Sequence, residues 1–259
     1  MKKSYTTNAI NLKSYPLNDN DSVVVMFSKD KGLISAVAKG AKKPKSKLGA
    51  RIQMFIANTL LLLEGKNLDT ITEATSVNTF SKIRYDIDKL TYSMYISELV
   101  STFCSKQYNQ DENYDEIYNL IFKTYNAIAN SSTKEQILLS SLKFQIKLMN
   151  ILGWGLDFNY CANCRDEISD NAYFSNTHNN FLCEKCAKDD LSYNVKIHHK
   201  IKEFLSEISK NDVTKYDEIV NLTVLEKCFN FEKKYIDNIS HKKTKIFETI
   251  GQMVRWTKF

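Results

Sequence analysis

Four of the six cysteines fall in two pairs, Cys161-Ala162-Asn163-Cys164 and Cys183-Glu184-Lys185-Cys186, with eighteen residues between them. Two CxxC turns at this separation can each present two thiolates to one point, and together they close a tetrahedron around a metal ion. Such a set leaves no open position for a catalytic water. One structural zinc ion per chain, bound by Cys161, Cys164, Cys183 and Cys186, is therefore expected. A pair of disulfides, a redox dithiol or an iron–sulfur cluster are the other readings, although iron–sulfur runs are usually more tightly spaced. Cys104 and Cys228 lie within helical patterns and read as inert buried thiols.

The first 80 residues read as strands. Val23, Val25 and Phe27 alternate with Val24, Met26 and Ser28, Lys29-Asp30-Lys31-Gly32 supplies a turn, and an apolar run resumes from Leu33 to Ala38. A second pair runs from Ile56 to Glu64 and, after Gly65-Lys66-Asn67, from Leu68 to Thr75. Four or five short strands in about 75 residues suit a closed barrel, which has no exposed edges, and the OB-fold leads. Charge is unevenly placed here. Residues 1–75 hold twelve Lys/Arg against six acids, a balance of +6 equal to that of the whole chain, so the rest is net neutral. Half of those cations lie in Lys39-Gly40-Ala41-Lys42-Lys43-Pro44-Lys45-Ser46-Lys47-Leu48-Gly49-Ala50-Arg51, which contains no acid. Between two strand pairs this should be a barrel loop whose glycine, serine and proline let the backbone approach a ligand. Its lysines supply point charges for phosphate without a fixed fork for reading base edges. Lys39, Lys42, Lys43, Lys45, Lys47 and Arg51 are the expected DNA-binding residues, with Tyr15, Phe27 and Phe55 as candidate stacking platforms.

From about residue 83 the period becomes helical. Tyr92, Tyr95, Ile96, Leu99, Val100 and Phe103 form one stripe, and Tyr114, Ile117, Tyr118, Ile121, Tyr125 and Ile128 another. Tyrosines on these aliphatic faces read as core. Thr133 with Gln136 has the spacing of a capping box ahead of Leu138, Leu142, Ile146 and Met149, and Gly153 is a stop. Ile197, Ile201, Phe204, Leu205 and Ile208 suggest a further helix, as do Leu225, Phe229, Ile236 and Ile239. The expected class is α+β: an OB-fold DNA-binding domain over residues 1–80, then a helical domain over 81–259 with a zinc-binding insert at about 158–190.

No GxxxxGK[ST], GxGxxG or HExxH motif is present, and His178, His198, His199 and His241 form no recognisable ligand set, so an enzyme is not expected. A metal-dependent nuclease would have to rely on Asp19 and Asp21, which in a turn are more simply turn formers. Met1, Lys2 and Lys3 lead into polar residues, and no apolar run approaches the length of a membrane span. A cytoplasmic, nucleoid-associated protein follows as the expectation.

With these pieces placed, the order of motifs resembles the RecO family of bacterial DNA repair and recombination mediators. The similarity is carried by Leu12 to Tyr15, by Val24 to Ile34, and most specifically by Ala38 to Leu48. Tyr92 to Leu99, Leu148 to Gly153 and the four cysteines follow in the family's order, while the C-terminal helices match only loosely. The resemblance implies binding to single- and double-stranded DNA, annealing of complementary strands, and partnership with RecR and single-strand-binding protein in loading RecA. Two departures stand out. Lysines stand in the basic loop where arginines are frequent, and Asn18-Asp19-Asn20-Asp21 lacks the glycine common at that turn. A protein-interaction scaffold with incidental DNA affinity is the competing expectation.

Overall fold

The computed structural model describes residues 3–105, 113–190, 193–214, 221–240 and 244–247. Lys2, His241 and residues 248–259 of the expected helical domain lie outside them.

Five strands form the N-terminal unit: β1 (Ser4–Pro16), β2 (Ser22–Ser28), β3 (Gly32–Ala38), β4 (Ala57–Leu63) and β5 (Asp69–Asn78). They close in the order β1-β2-β3-β5-β4, with β1 pairing back onto β4 and β3 running parallel to β5. This is an OB-type barrel. Its first strand starts well before Leu12 because ladder pairing of Ser4–Asn8 with Leu63–Thr59 sustains it where apolar alternation does not. Ala9, Val24, Met26, Ala36, Leu60, Leu62 and Ile71 fill the interior.

Pairing of β1 with β2 slips by one residue at Leu12, since Asn11 faces Met26 but Lys13 faces Val25. Ile10 and Leu12 point out of the barrel into the helical core, whereas Met26 points in. Without the slip, strict alternation would send Lys13 and Tyr15 inward; the bulge returns both to the outer face. Half of that face is covered. Phe27 meets Tyr114 edge-on at 6.5 Å, and Phe55 meets Tyr125 at 5.5 Å. Gly32, at φ 64, begins β3 where an added Cβ would lie 2.6 Å from the Tyr114 ring, so both the turn and the domain contact need glycine there.

The helices are α1 (Ile87–Phe103), α2 (Tyr114–Asn130), α3 (Lys134–Ile151), α4 (Glu184–Asp189), α5 (His199–Lys210) and α6 (Leu222–Ser240). Asp86 caps α1 by accepting from the Asp88 and Lys89 amides. Thr133 caps α3 through the Gln136 amide, while the Gln136 side chain reaches back to the Ser132 amide. Tyr92, Tyr95, Tyr118 and Tyr125 are buried on the faces expected for them. One expectation fails: Ile197 ends a strand, β8 (Tyr193–Ile197), and the helix begins only at His199, with His198 as its cap. That strand pairs with β6 (Ala172–Ser175), which also pairs with β7 (Asn180–Leu182), giving a small sheet in the order β7-β6-β8. Phe174 and Phe181 fix this sheet to α6, packing on Phe231 at 5.5 and 5.8 Å. Among the described residues, no helix is long and apolar enough to cross a membrane.

Candidate nucleic-acid interface and four-cysteine centre

The segment from Lys39 to Ile56 joins β3 to β4 and plugs one end of the barrel. Ala41 and Ile52 are buried in the barrel core, and Leu48 packs against it. The intervening side chains cannot follow them inward, so Lys39, Lys42, Lys43, Lys45 and Lys47 are all exposed, with Arg51 half-buried. Buried asparagines hold the loop's backbone at Arg51, whose carbonyl accepts from Asn11 Nδ2 at 2.8 Å and Asn58 Nδ2 at 3.0 Å. The signal for this was an amide side chain within each of two apolar stretches, Asn11 between Ile10 and Leu12 and Asn58 at the start of the run to Leu63. Burying them unpaired would cost roughly 1–3 kcal/mol each.

The loop glycines have a different task from the one expected. Gly40 takes φ 65, and a Cβ on Gly49 would lie 2.5 Å from the Ala41 carbonyl oxygen, so these residues let the loop pack on itself rather than approach a ligand. At its near end the loop is tied to the β1–β2 turn. The Gly40 amide donates to Asp21 Oδ1 at 2.7 Å, and the Lys42 amide to the Asn20 carbonyl at 3.0 Å. Asp21 is thus a loop anchor. Its carboxyl is held below the usual range by the Gly40 amide first, then by Asn18, with Lys39 and Lys43 adding smaller attractions. The missing turn glycine is replaced by Asn18, whose Oδ1 accepts from the Asn20 and Asp21 amides at 2.9 and 2.8 Å.

Of the three candidate platforms, Phe27 and Phe55 are fully buried between barrel and helices and cannot stack on a base. Phe27 lies on the outward face of β2 and Phe55 at the end of the β3–β4 segment, both on the side the helical domain covers. Tyr15 is 42% exposed. Among the described residues none of the six loop cations forms an ion pair, whereas Lys29 and Lys31, on the β2–β3 turn at the other end of β3, meet Asp115 and Glu64 at 3.0 and 3.8 Å.

The four cysteines converge. Their sulfur atoms all lie within 4.8 Å of one another, with Cys164 and Cys183 3.9 Å apart. Tetrahedral thiolates at about 2.3 Å from a zinc ion would be separated by about 3.8 Å, whereas a disulfide requires about 2.05 Å. The first knuckle is shaped by the Cys161 amide donating to the Asp166 carbonyl and by Arg165 at φ 66; the second opens α4, with Cys183 at the N-cap. Burial pushes the Cys161 thiol up, but backbone N–H groups of Cys164, Cys183 and Asn163 outweigh it and bring it down, whereas Cys164 and Cys186 are raised despite hydrogen bonds from the Asp166 backbone and the Asn163 side chain, by burial and by contact with the neighbouring thiols. Cys104 and Cys228 are instead pushed up to about 12 by burial and are unreactive. Among the described residues, His198 caps α5 and lies against His199, and no histidine joins the cysteine cluster.

An OB-type barrel carrying a basic loop, fused to a helical domain that holds a four-cysteine module, defines a narrow class of architecture. The family model described as recombination protein O N terminal matches residues 1–80, and that described as recombination protein O C terminal matches residues 84–245. The DNA repair protein RecO of Clostridium novyi (strain NT) is 31% identical over 184 residues, covering 71% of this chain and 70% of that protein. The DNA repair protein RecO of Clostridium kluyveri is 25% identical over 257 residues, with 98% and 96% covered, and that of Clostridium perfringens 28% over 243 residues, with 92% and 94% covered. The chain belongs to the RecO family, whose members act in DNA repair and recombination.

Proposed function

We propose that this chain is a non-catalytic recombination mediator that binds single- and double-stranded DNA through Lys39, Lys42, Lys43, Lys45, Lys47 and Arg51. In this reading it anneals complementary strands and, with RecR, helps load RecA on DNA coated by single-strand-binding protein. The observation that carries it is the basic loop: five exposed lysines that form no ion pair among the described residues, on a backbone anchored into the barrel. A loop fixed in this way loses little conformational freedom on binding, and exposed ammonium groups neutralise phosphates without selecting a sequence. Residues 1–80 are proposed as the DNA-binding domain and 81–259 as the helical domain, with the insert at about 158–190. One zinc ion per chain, held by Cys161, Cys164, Cys183 and Cys186, would have a structural role, since four thiolates fill its coordination shell.

The test is a salt titration. If Lys42, Lys43, Lys45 and Lys47 each displace a counterion from single-stranded DNA, changing all four to glutamine should flatten log K against log salt by about 3 units. Affinity should fall about equally for oligonucleotides of different composition, and the melting temperature should hold, because no core volume is removed. An unchanged slope would mean that the loop is only a solvated surface.

Annealing needs no more than neutralisation of two polyanions. Complementary oligonucleotides should therefore anneal in the presence of the protein without ATP and after chelation of Mg²⁺. Strand cleavage with Mg²⁺ that is lost on changing Asp19 and Asp21 would reverse this reading.

A further inference from the structure

We propose that the open half of the barrel's outer face, centred on Tyr15, is a platform on which unpaired bases of single-stranded DNA stack. This rests on the reading of the basic loop as the phosphate-binding element and assigns the bases their own place beside it.

The bulge at Leu12 brings Lys13 and Tyr15 to the outer face, in two rows across the barrel. Tyr15 faces Val23, which faces Val37, which faces Thr70 on β5; Lys13 faces Val25, which faces Ser35. Neither row holds an acid. Tyr15 is 42% exposed, while Val23 opposite it is buried, so the ring stands over an apolar floor. Lys13 holds its ammonium 5.9 Å from the ring centroid. The basic loop borders the same end, tied to Asn20 and Asp21 by the Lys42 and Gly40 amides at 3.0 and 2.7 Å. An aromatic face over aliphatic side chains, flanked by cations, suits a flat, electron-rich base next to a phosphate. A duplex keeps its base faces stacked internally and can offer only phosphates there, so the platform should favour single strands.

Anisotropy titrations of the full chain with labelled oligo(dT), an abasic oligonucleotide of equal length and a duplex, each across a range of salt, test this. Tyr15→Ala and Tyr15→Leu should bind oligo(dT) roughly tenfold more weakly at every salt concentration with an unchanged slope, and Tyr15→Phe should bind as wild type. Binding to the duplex and to the abasic strand should stay within about twofold of wild type. Tyr15→Leu keeps apolar cover over Val23, so a loss shared by Ala and Leu but not Phe reports the ring and not the fold. The proposal is overturned if Tyr15→Leu binds oligo(dT) as wild type does while the quadruple lysine variant still flattens the salt slope. It is equally overturned if duplex affinity falls in parallel. If the lysine variant keeps its slope but the tyrosine variants lose single-strand affinity, the platform stands and the loop reading fails.

Discussion

Stripping the metal, or replacing Cys183 with serine, is expected to unfold residues 157–197 as a unit and to leave the barrel standing. Apart from its packing on the helical core, the module has little of its own to hold it. Its sheet has strands of four, three and five residues, and its apolar centre is built mainly from Phe158, Phe174, Phe181 and Leu182. A closed four-thiolate zinc site contributes about 10 kcal/mol or more to folding in small modules, which is comparable to the whole stability of an ordinary domain. Loss of one ligand also leaves three sulfur atoms within 4.8 Å of one another and an incomplete shell for the ion. The effect should spread to α6, because Phe174 and Phe181 pack on Phe231 and because Phe174 also meets Tyr235 at 5.8 Å. Trypsin should then cut at Arg165, Lys185 and Lys188 within minutes, where the metal-loaded protein resists. Elemental analysis should give one zinc per chain before treatment. The barrel has its own interior, so the salt dependence of DNA binding should be nearly preserved. Metal-free protein that stays protease-resistant, with disulfides found by mass spectrometry, would remove zinc from the account.

The four-cysteine cluster was legible because metal geometry constrains the spacing of such a set directly. The loop lysines were legible as a composition, but their presentation was not. Nothing local indicates that Ala41, Leu48 and Ile52 would turn into the barrel and leave the cations outside, since this depends on the empty end of a closed sheet. The platform residues illustrate the same limit. Tyr15, Phe27 and Phe55 look equivalent by alternation, yet a one-residue bulge and the docking of α2 decide that only Tyr15 meets solvent. The Ile197 error came from a periodic apolar pattern running across a strand–helix junction: Ile197 and Ile201 are four apart, as on a helix, but the first ends β8 and the second lies in α5. Asp21 was read as a turn former and proved also to hold the loop, a role set by a partner nineteen residues away.

Between pH 5 and pH 9 the protein should lose stability steeply, and Glu232→Gln should abolish most of that loss. Glu232 lies on α6 and is 1% exposed; its Oε1 finds no hydrogen-bond partner among the described residues. Burial alone pushes its carboxyl up to about 8, while in the unfolded chain it titrates near the ordinary 4.5. The sign follows from proton counting. Below pH 4.5 the group is neutral in both states and costs nothing. From there to pH 8 the unfolded chain gives up the proton and the folded one retains it, so stability falls by about 1.4 kcal/mol per pH unit. Above pH 8 both forms are charged and the penalty levels off at something on the order of 5 kcal/mol. Tyr95, Tyr235 and Cys228 would face the buried charge; each is held protonated chiefly by burial and stays neutral, and none can carry a positive charge. Glutamine keeps the shape and cannot ionise. Its melting temperature should match wild type within a few degrees at pH 5 and exceed it by roughly 10 °C at pH 9. Parallel melting curves for the two proteins across that range would show instead that Glu232 is solvated or paired in the folded chain, and that alkaline instability arises at the cysteines or the tyrosines.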